Sequence, residues 1–360
     1  MSNIIDSGLR TQDSGLRTQG ELCLDVKFEE YERERLDEIY DVVAQYSEME
    51  RNEQYFLNGI IRYFKPAKIL EVGVARGGGT VKILNAIKDL PNSHLTSVDY
   101  CEKYYIGNID KPSGFLVDEQ FSHLKSKWTV YRGGDISRFI ERIGGDIDML
   151  VLDTAHIHPW ETLNFLCVLP FMKRNSWVVL HDINLQCLKS REDDLACRYL
   201  FSHVVSDAKI LPAVSDYDFH FANIGAFRVT DDTTKYIRNL FESVLNPWAA
   251  MPGVFDKRVF PCATPILPED LRDIKNILNK YYPDYKEFFE YVIEAQNLIV
   301  KHKTEVHNSF RMRWKRNFPL SFCLVDGTLQ FTKRSLIKFL RNKPALYERC
   351  RKIKRAILKH

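Results

Sequence analysis

What the 360-residue sequence lacks narrows its class first. No stretch approaches the about 18 consecutive apolar residues of a membrane-spanning helix. The start, Met1-Ser-Asn-Ile-Ile-Asp6, has no basic segment followed by an apolar core, so no secretory signal is expected. The eight cysteines form no CxxC pair and no even framework, which speaks against a disulfide scaffold or a zinc site and for reduced thiols in a cytoplasmic protein. Strong compositional bias is also missing: 45% apolar and 28% charged residues exclude a disordered, collagenous or coiled-coil chain. The length exceeds the roughly 100–200 residues of a usual domain, so one large domain with appendages, or two, is expected.

Charge is distributed unevenly. From Ser309 to His360 there are fifteen Lys/Arg and two acids, a local charge of +13, which leaves −10 on the other 308 residues of a chain whose net charge is +3. Within that tail Leu346, Cys350, Ile353 and Ile357 recur at i, i+4, i+7 and i+11 with Arg and Lys between them, the pattern of a basic amphipathic helix. Three partners suit it: an anionic membrane surface, which would make the protein membrane-peripheral; a polyanion such as RNA; or the chain's own acidic part. At the other end, Asp6–Gln12 recurs as Asp13–Gln19. Two short repeats cannot build a solenoid, so residues 1–20 read as a polar, flexible arm.

Between these ends the texture alternates. Phe28–Phe64 reads as one or two helices ending at Lys65-Pro66, because the residue before proline disfavours the α region. Strand-like runs follow at Lys68–Val74, His94–Asp99, Trp128–Tyr131, Ile147–Asp153, Ser176–Leu180 and Ala222–Thr230. Helical patterns fall between them at Thr80–Leu90, Ile136–Ile143 and Pro159–Met172. This rhythm predicts a Rossmann-like α/β fold, a doubly wound, mostly parallel sheet covered on both faces. After Thr230 the prolines Pro247, Pro252, Pro261, Pro265 and Pro268 mark a loop-rich stretch, and helices resume over Pro268–Tyr282 and Asp284–Val306. The expected division is an arm (1–20), an N-terminal helical segment (21–66), the sheet domain (67–232), a helical accessory region (233–308) that shapes the acceptor site or an oligomer contact, and the basic tail (309–360).

Open parallel sheets bind ligands outside the carboxyl ends of their strands, so the residues closing each run carry the chemistry. The first closes as Glu71-Val-Gly73-Val-Ala75-Arg76-Gly77-Gly78-Gly79. Glycines at a strand-to-helix turn let the backbone approach a ligand, with a tight turn as the plainer alternative. The spacing is not the GxGxxG of a dinucleotide loop, and a carboxylate at the strand end repels phosphate while suiting an ammonium group. That disfavours an NAD-dependent oxidoreductase. Asp99 is placed for a ribose diol, and Asp135, after Gly134, for an adenine amino group. Amino acid, ribose and adenine together describe S-adenosylmethionine.

The run Ile69–Thr80 (ILEVGVARGGGT), the SVD ending at Asp99, the GGD at Asp135, the LDTAH of Leu152–His156 and the VVLHD ending at Asp182 resemble class I S-adenosylmethionine-dependent methyltransferases. The likeness is greatest to the branch holding antibiotic and sugar O-methyltransferases and cephalosporin-hydroxylase-like proteins. It spans about Tyr55 to Thr230. The resemblance implies strand order 3-2-1-4-5-7-6 with an antiparallel last strand, and cofactor contacts from Glu71, Gly73, Ala75, Arg76, Gly77, Gly78, Asp99, Tyr100, Gly134 and Asp135. It further implies that Asp153 binds a divalent ion such as Mg or Mn, that His156 is the general base, and that Asp182 is a second carboxylate ligand. The chain departs from the metal-using relatives in carrying His181-Asp182 at that second strand end. Imidazole shifts preference toward softer ions, so His181 either ligates such an ion, points away, or marks a metal-free branch.

Other residues near these motifs have plainer readings. His158, before Pro159 at a helix start, is expected to cap. Tyr100 and Trp160 either flank adenosine or sit in the core. Cys187 and Cys197 lie in the polar stretch Asn184–Cys197 expected to cover the acceptor, and Arg191, Glu192, Asp193 and Asp194 form a solvated face or read a polar substrate. The expected function is O-methylation of a small-molecule or glycan hydroxyl by a cytoplasmic enzyme that forms a homo-oligomer or acts alone. A hydroxylase-like enzyme on the same fold, or a non-catalytic binding module, are the alternatives. Polar residues at Asp153, His156 and Asp182 argue against the module, because structure alone does not require them at three strand-end positions.

Overall fold

The alternation of short apolar runs and amphipathic segments folds into one seven-stranded sheet. In the computed structural model, which describes residues 26–104, 110–189, 195–213, 222–249 and 266–317, the strands are β1 (Lys68–Val72), β2 (His94–Asp99), β3 (Trp128–Arg132), β4 (Ile147–Leu152), β5 (Met172–His181), β6 (Lys209–Ile210) and β7 (Ile224–Arg228). Their order is β3-β2-β1-β4-β5-β7-β6. β1 to β5 run parallel, while β7 is antiparallel to β5 and to β6. Strands covered on both faces must be apolar almost throughout, and β4 (IDMLVL) and the second half of β5 are. β6 escapes the sequence pattern because two residues carry no period.

The main helices are α1 (Arg51–Phe64), α2 (Gly78–Ile87), α3 (Ile136–Ile143), α4 (Trp160–Val168), α5 (Ala196–His203), α6 (Pro268–Tyr281) and α7 (Lys286–Asn317). One side of the core joins Phe56, Leu57, Ile60 and Ile61 of α1 and Val81 and Leu84 of α2 to Ile69, Leu95, Met149 and Val179 of the sheet. Each such side chain, removed from water, contributes roughly 1.5–3 kcal/mol. The N-terminal segment is more broken than the sequence pattern suggests: short turns at Phe28–Glu30, Glu34–Asp37, Tyr40–Val43 and Ala44–Tyr46 precede α1. Arg62 of α1 explains part of this. Its guanidinium reaches Glu32 (2.5 Å), Asp89 (2.7 Å) and the Ala86 carbonyl (2.8 Å), so the segment is tied sideways to α1 and α2. α1 ends before Pro66 as expected: the Lys65 N–H closes the last turn on the Ile61 carbonyl, and Lys65 itself adopts a left-handed conformation (φ 50°) that turns the chain out of the helix.

The chain divides into two compact units, Met1–Gln296 and Asn297–His360. In the first, α6 packs along α3 and α4, and the start of α7 is anchored through Gln296, which accepts from the Trp248 N–H at 2.9 Å and donates to the Leu245 and Asn246 carbonyls at 3.1 and 3.2 Å. In the second, Asn297–Asn317 continues as helix. The heptad repeat, Arg191–Asp194, Pro252, Pro261, Pro265 and the amphipathic pattern around Leu346–Ile357 lie outside the described residues. Among the described residues no helix is long and apolar enough to cross a membrane.

Candidate active site

Parallel pairing brings the carboxyl ends of β1, β2, β4 and β5 to one edge. Glu71 lies opposite Ser97 and Val151, the Gly73 N–H bonds the Val98 carbonyl at 2.9 Å, and the Asp153 N–H bonds the Val72 carbonyl at 3.0 Å. The turn after β1 needs its glycines. Gly73 has φ 98°, and a Cβ there would stand 1.8 Å from the Asp153 carbonyl oxygen. Gly77, at φ 97°, is the N-cap of α2, whose first N–H groups open toward this edge. A Cβ on Gly78 would meet the Tyr46 carbonyl at 2.3 Å, so the N-terminal segment lies directly against the turn.

The acids of the expected cofactor set are more occupied than their positions suggest. Glu71 is buried and accepts from the Thr80 hydroxyl (2.8 Å) and the Ser97 hydroxyl (2.6 Å); burial pushes its carboxyl up to about 7. Asp99 accepts three backbone N–H groups, those of Val74 and Ala75 at Oδ2 (both 2.9 Å) and that of Cys101 at Oδ1 (2.8 Å). A carboxylate has about four lone-pair sites, so a ribose hydroxyl has little more than one left. Those bonds also hold Ala75 in its left-handed conformation (φ 49°). Asp135 caps α3 through the Ser137 N–H at 2.9 Å, and burial raises its carboxyl to about 6. Arg76 turns outward to the Gln45 carbonyl at 3.1 Å, and Gly134 lies under the Arg138 side chain. Tyr100 donates to Asp270 at the start of α6 (2.8 Å), with its ring edge-on to buried Trp160 at 5.9 Å. The accessory helix α6 therefore meets the sheet domain on the Asp135 side.

The tips of β4 and β5 carry a second group. Donor atoms of Asp153, His156, His181 and Asp182 all lie within 4.8 Å of one another. His181 Nδ1 is 3.1 Å from Asp153 Oδ1 and 3.6 Å from Asp182 Oδ2. His156 Nε2 is 3.0 Å from Asp182 Oδ2 and 3.4 Å from Asp153 Oδ1. Donors sharing one ion at metal–ligand bonds of about 2.1 Å stand about 3.0–3.4 Å apart; the Asp153–His181, Asp182–His156 and Asp153–His156 distances fall in that range and His181–Asp182 at 3.6 Å lies just outside it, so these residues could hold a divalent ion after a small adjustment. Burial would raise the Asp153 carboxyl, yet His181, His156 and Lys82 together hold it down to about 2. Burial likewise opposes a charged His181, but Asp182 and Asp153 outweigh it and push the imidazole well above its ordinary value.

Several residues that sequence reading did not single out build this corner. Glu53 of α1 accepts from His181 Nε2 at 3.1 Å. Glu161, fully buried in α4, accepts from the Thr154 hydroxyl (2.7 Å) and the His156 N–H (2.6 Å), holding His156 at φ 58°. Cys197 of α5 places Sγ 3.5 Å from His156 Nδ1. Asn223 donates to Asp182 Oδ1 at 2.5 Å while Asp182 adopts φ 57°. Lys82 of α2 is buried beneath, donating to Ser47 at 2.7 Å, and burial lowers its ammonium to about 8. Non-glycine residues in the left-handed region cost of order 1–3 kcal/mol each and persist only where surrounding bonds enforce them, as here. His158 is not a cap: Pro159 occupies the cap position, and the imidazole is buried edge-on to Tyr199 at 4.8 Å, with burial lowering it to about 3 and leaving it neutral. Cys187 is exposed.

Residues 70–183 match the model of a family described as a methyltransferase domain. No curated protein matches the chain. Among solved structures, the O-methyltransferase TomG from Streptomyces achromogenes, in complex with SAM, is 15% identical with a TM-score of 0.42, covering 55% of this chain and 90% of that one. The O-methyltransferase from Bacillus cereus, in complex with SAH, is 13% identical with a TM-score of 0.40, covering 55% and 91%. The SAH-bound Podospora anserina methyltransferase PaMTH1 is 12% identical with a TM-score of 0.40, covering 55% and 88%. The matched segment, residues 70–183, runs from within β1 through β5 and holds the glycine turn after β1, and it is the part of the chain that is similar to a methyltransferase domain.

Proposed function

We propose that the protein transfers the methyl group of S-adenosylmethionine to a hydroxyl oxygen of a small-molecule or glycan acceptor. The observation that carries this reading is the meeting, at one sheet edge, of the Glu71–Gly79 turn with the Asp153, His156, His181 and Asp182 cluster. The sulfonium donor arrives activated, so the protein's work is to align the acceptor and take its proton. Glu71 lies under the turn where the donor's ammonium group would rest, Asp99 offers its remaining lone pair to ribose, and Asp135 and Tyr100 border the adenine. Asp153, His181 and Asp182 would hold a divalent ion, and His156 Nε2 would take the hydroxyl proton. A bound ion would supply Lewis-acid polarisation of the acceptor oxygen. Glu161 keeps His156 in the conformation that aims Nε2 inward. Oxygen is favoured over nitrogen as the methylated atom because a neutral hydroxyl is a poor nucleophile unless a base or an ion assists it, and this corner has residues for both. Unpaired Cys101, Cys167, Cys187 and Cys197 suit a reducing, cytoplasmic setting.

Calorimetry with S-adenosylmethionine and with NAD, followed by transfer of a deuterated methyl group to hydroxyl compounds that co-purify with the protein, tests this reading. A mass increase of the labelled methyl on an oxygen is expected. Binding of NAD instead, or donor binding without transfer to any acceptor, would sink it.

A further inference from the structure

The feature of widest consequence lies on α1, before the segment that matches the family. Glu53 is 2% exposed, and its Oε2 receives two hydrogen bonds: from the Glu50 N–H at 2.7 Å, as part of the cap of α1, and from His181 Nε2 at 3.1 Å. The carboxylate is thus fixed by its own helix before it meets the histidine. His181 is equally enclosed, with Nε2 turned to Glu53 and Nδ1 turned to Asp153 and Asp182. We propose that Glu53 is a positioning residue that fixes His181 as a nitrogen ligand through Nδ1, and that this pair tilts the site toward first-row transition ions and away from Mg²⁺; the proposal rests on the metal assignment of Asp153, His181 and Asp182 made above.

An acceptor at Nε2 keeps a proton on that nitrogen, so an ion that displaces the proton facing the two aspartates meets the Nδ1 lone pair between them. A carboxylate behind a metal-binding histidine orients the ring and raises its basicity, and removing such a partner typically costs about 10–100-fold in metal affinity. Mg²⁺ demands oxygen donors and holds its waters, whereas imidazole suits iron, cobalt and zinc. Two carboxylates with one or two imidazoles therefore make a mixed donor set that discriminates between these classes.

The test uses the full-length protein, stripped of metal and titrated with CoCl2 and separately with MgCl2 by calorimetry, with the visible absorption of bound Co²⁺ as a second readout. Thermal midpoint and S-adenosylmethionine binding serve as controls for the fold. The native protein is expected to prefer Co²⁺ by at least about 100-fold. Glu53→Leu should weaken Co²⁺ by about 10–100-fold and shift its spectrum while leaving Mg²⁺ within a few-fold. Glu53→Gln, whose amide oxygen still accepts from Nε2–H, should stay near native, and His181→Asp should collapse the preference. Unchanged cobalt affinity and an unchanged ratio in Glu53→Leu would overturn the pairing while leaving the metal assignment intact, and an unchanged ratio in His181→Asp would remove His181 from the ligand set and the pairing with it. Failure of the native protein to bind either ion, with donor binding retained, would overturn the metal assignment itself and the pairing with it. If Glu53→Leu does not fold, Glu53→Asp, whose shorter side chain falls back from Nε2, takes its place in the same titration with the same expected loss and the same overturning result.

Discussion

Single side chains do most of the work at the sheet edge, and their roles separate under mutation. On the proposed role of His156 as the base, His156→Ala should lower kcat by about 10²–10⁴-fold with donor affinity within a few-fold of native. Single-turnover rates and calorimetry check the two halves of that statement; a parallel loss of donor affinity would mean that His156 shapes the donor site instead. Glu161 acts one step removed. It accepts two hydrogen bonds from the Thr154–His156 turn and holds a non-glycine residue at positive φ. Glu161→Leu leaves a half-buried N–H and a half-buried hydroxyl without their acceptor, which costs up to about 1–3 kcal/mol each, so both thermal stability and kcat should fall. Glu161→Gln, able to accept both bonds at one oxygen, should recover most of the stability.

At the scale of elements, caps and strand tips explain which parts of the fold were readable. β1, β2, β4 and β5 announce themselves as apolar runs closed by a polar residue, because a strand covered on both faces has polar freedom only at its end. For the same reason Asp99, Asp153 and Asp182 stood out. Glu53, Glu161 and Asn223 did not: Glu53 is 128 positions from His181 in the chain and sits among helical residues with no strand to close, and its partnership exists only once α1 has packed on α2. The broken helices before α1 were hidden too, because no proline or glycine marks their breaks and one of them, at Glu32, is tied to Arg62 from across the packing. Asp135 shows how an element can claim a residue expected to serve a ligand. It caps α3, so Asp135→Ala should destabilise the protein by about 0.5–2 kcal/mol, measurable by chemical denaturation. Asp135→Asn keeps a capping oxygen and should hold stability near native, so any loss of donor affinity in that variant isolates the adenine contact.

For the molecule as a whole, the buried carboxyls set a pH dependence with opposing limbs. Burial raises Glu71 from 4.5 to about 7 and Asp135 from 3.8 to about 6. Between those values the native protein holds protons that the unfolded chain has released, so the stability these groups contribute is complete in acid and is lost as pH rises through about 6 to 7. Asp153 works the other way. It is lowered from 3.8 to about 2, so its contribution is present above 3.8 and is lost as pH falls through about 2. The donor's ammonium group, resting over Glu71, would favour the ionised carboxylate and so offset the alkaline limb. Two results are therefore expected from thermal melts. Glu71→Gln should melt above the native protein at pH 8 and no higher than it at pH 4, since an amide is neutral at both. Added S-adenosylmethionine should raise the native melting point more at pH 8 than at pH 5, and that difference should shrink in Glu71→Gln. An equal rise at both pH values in the native protein would place the ammonium away from Glu71 and require a different orientation of the donor across the tips of β1 and β4.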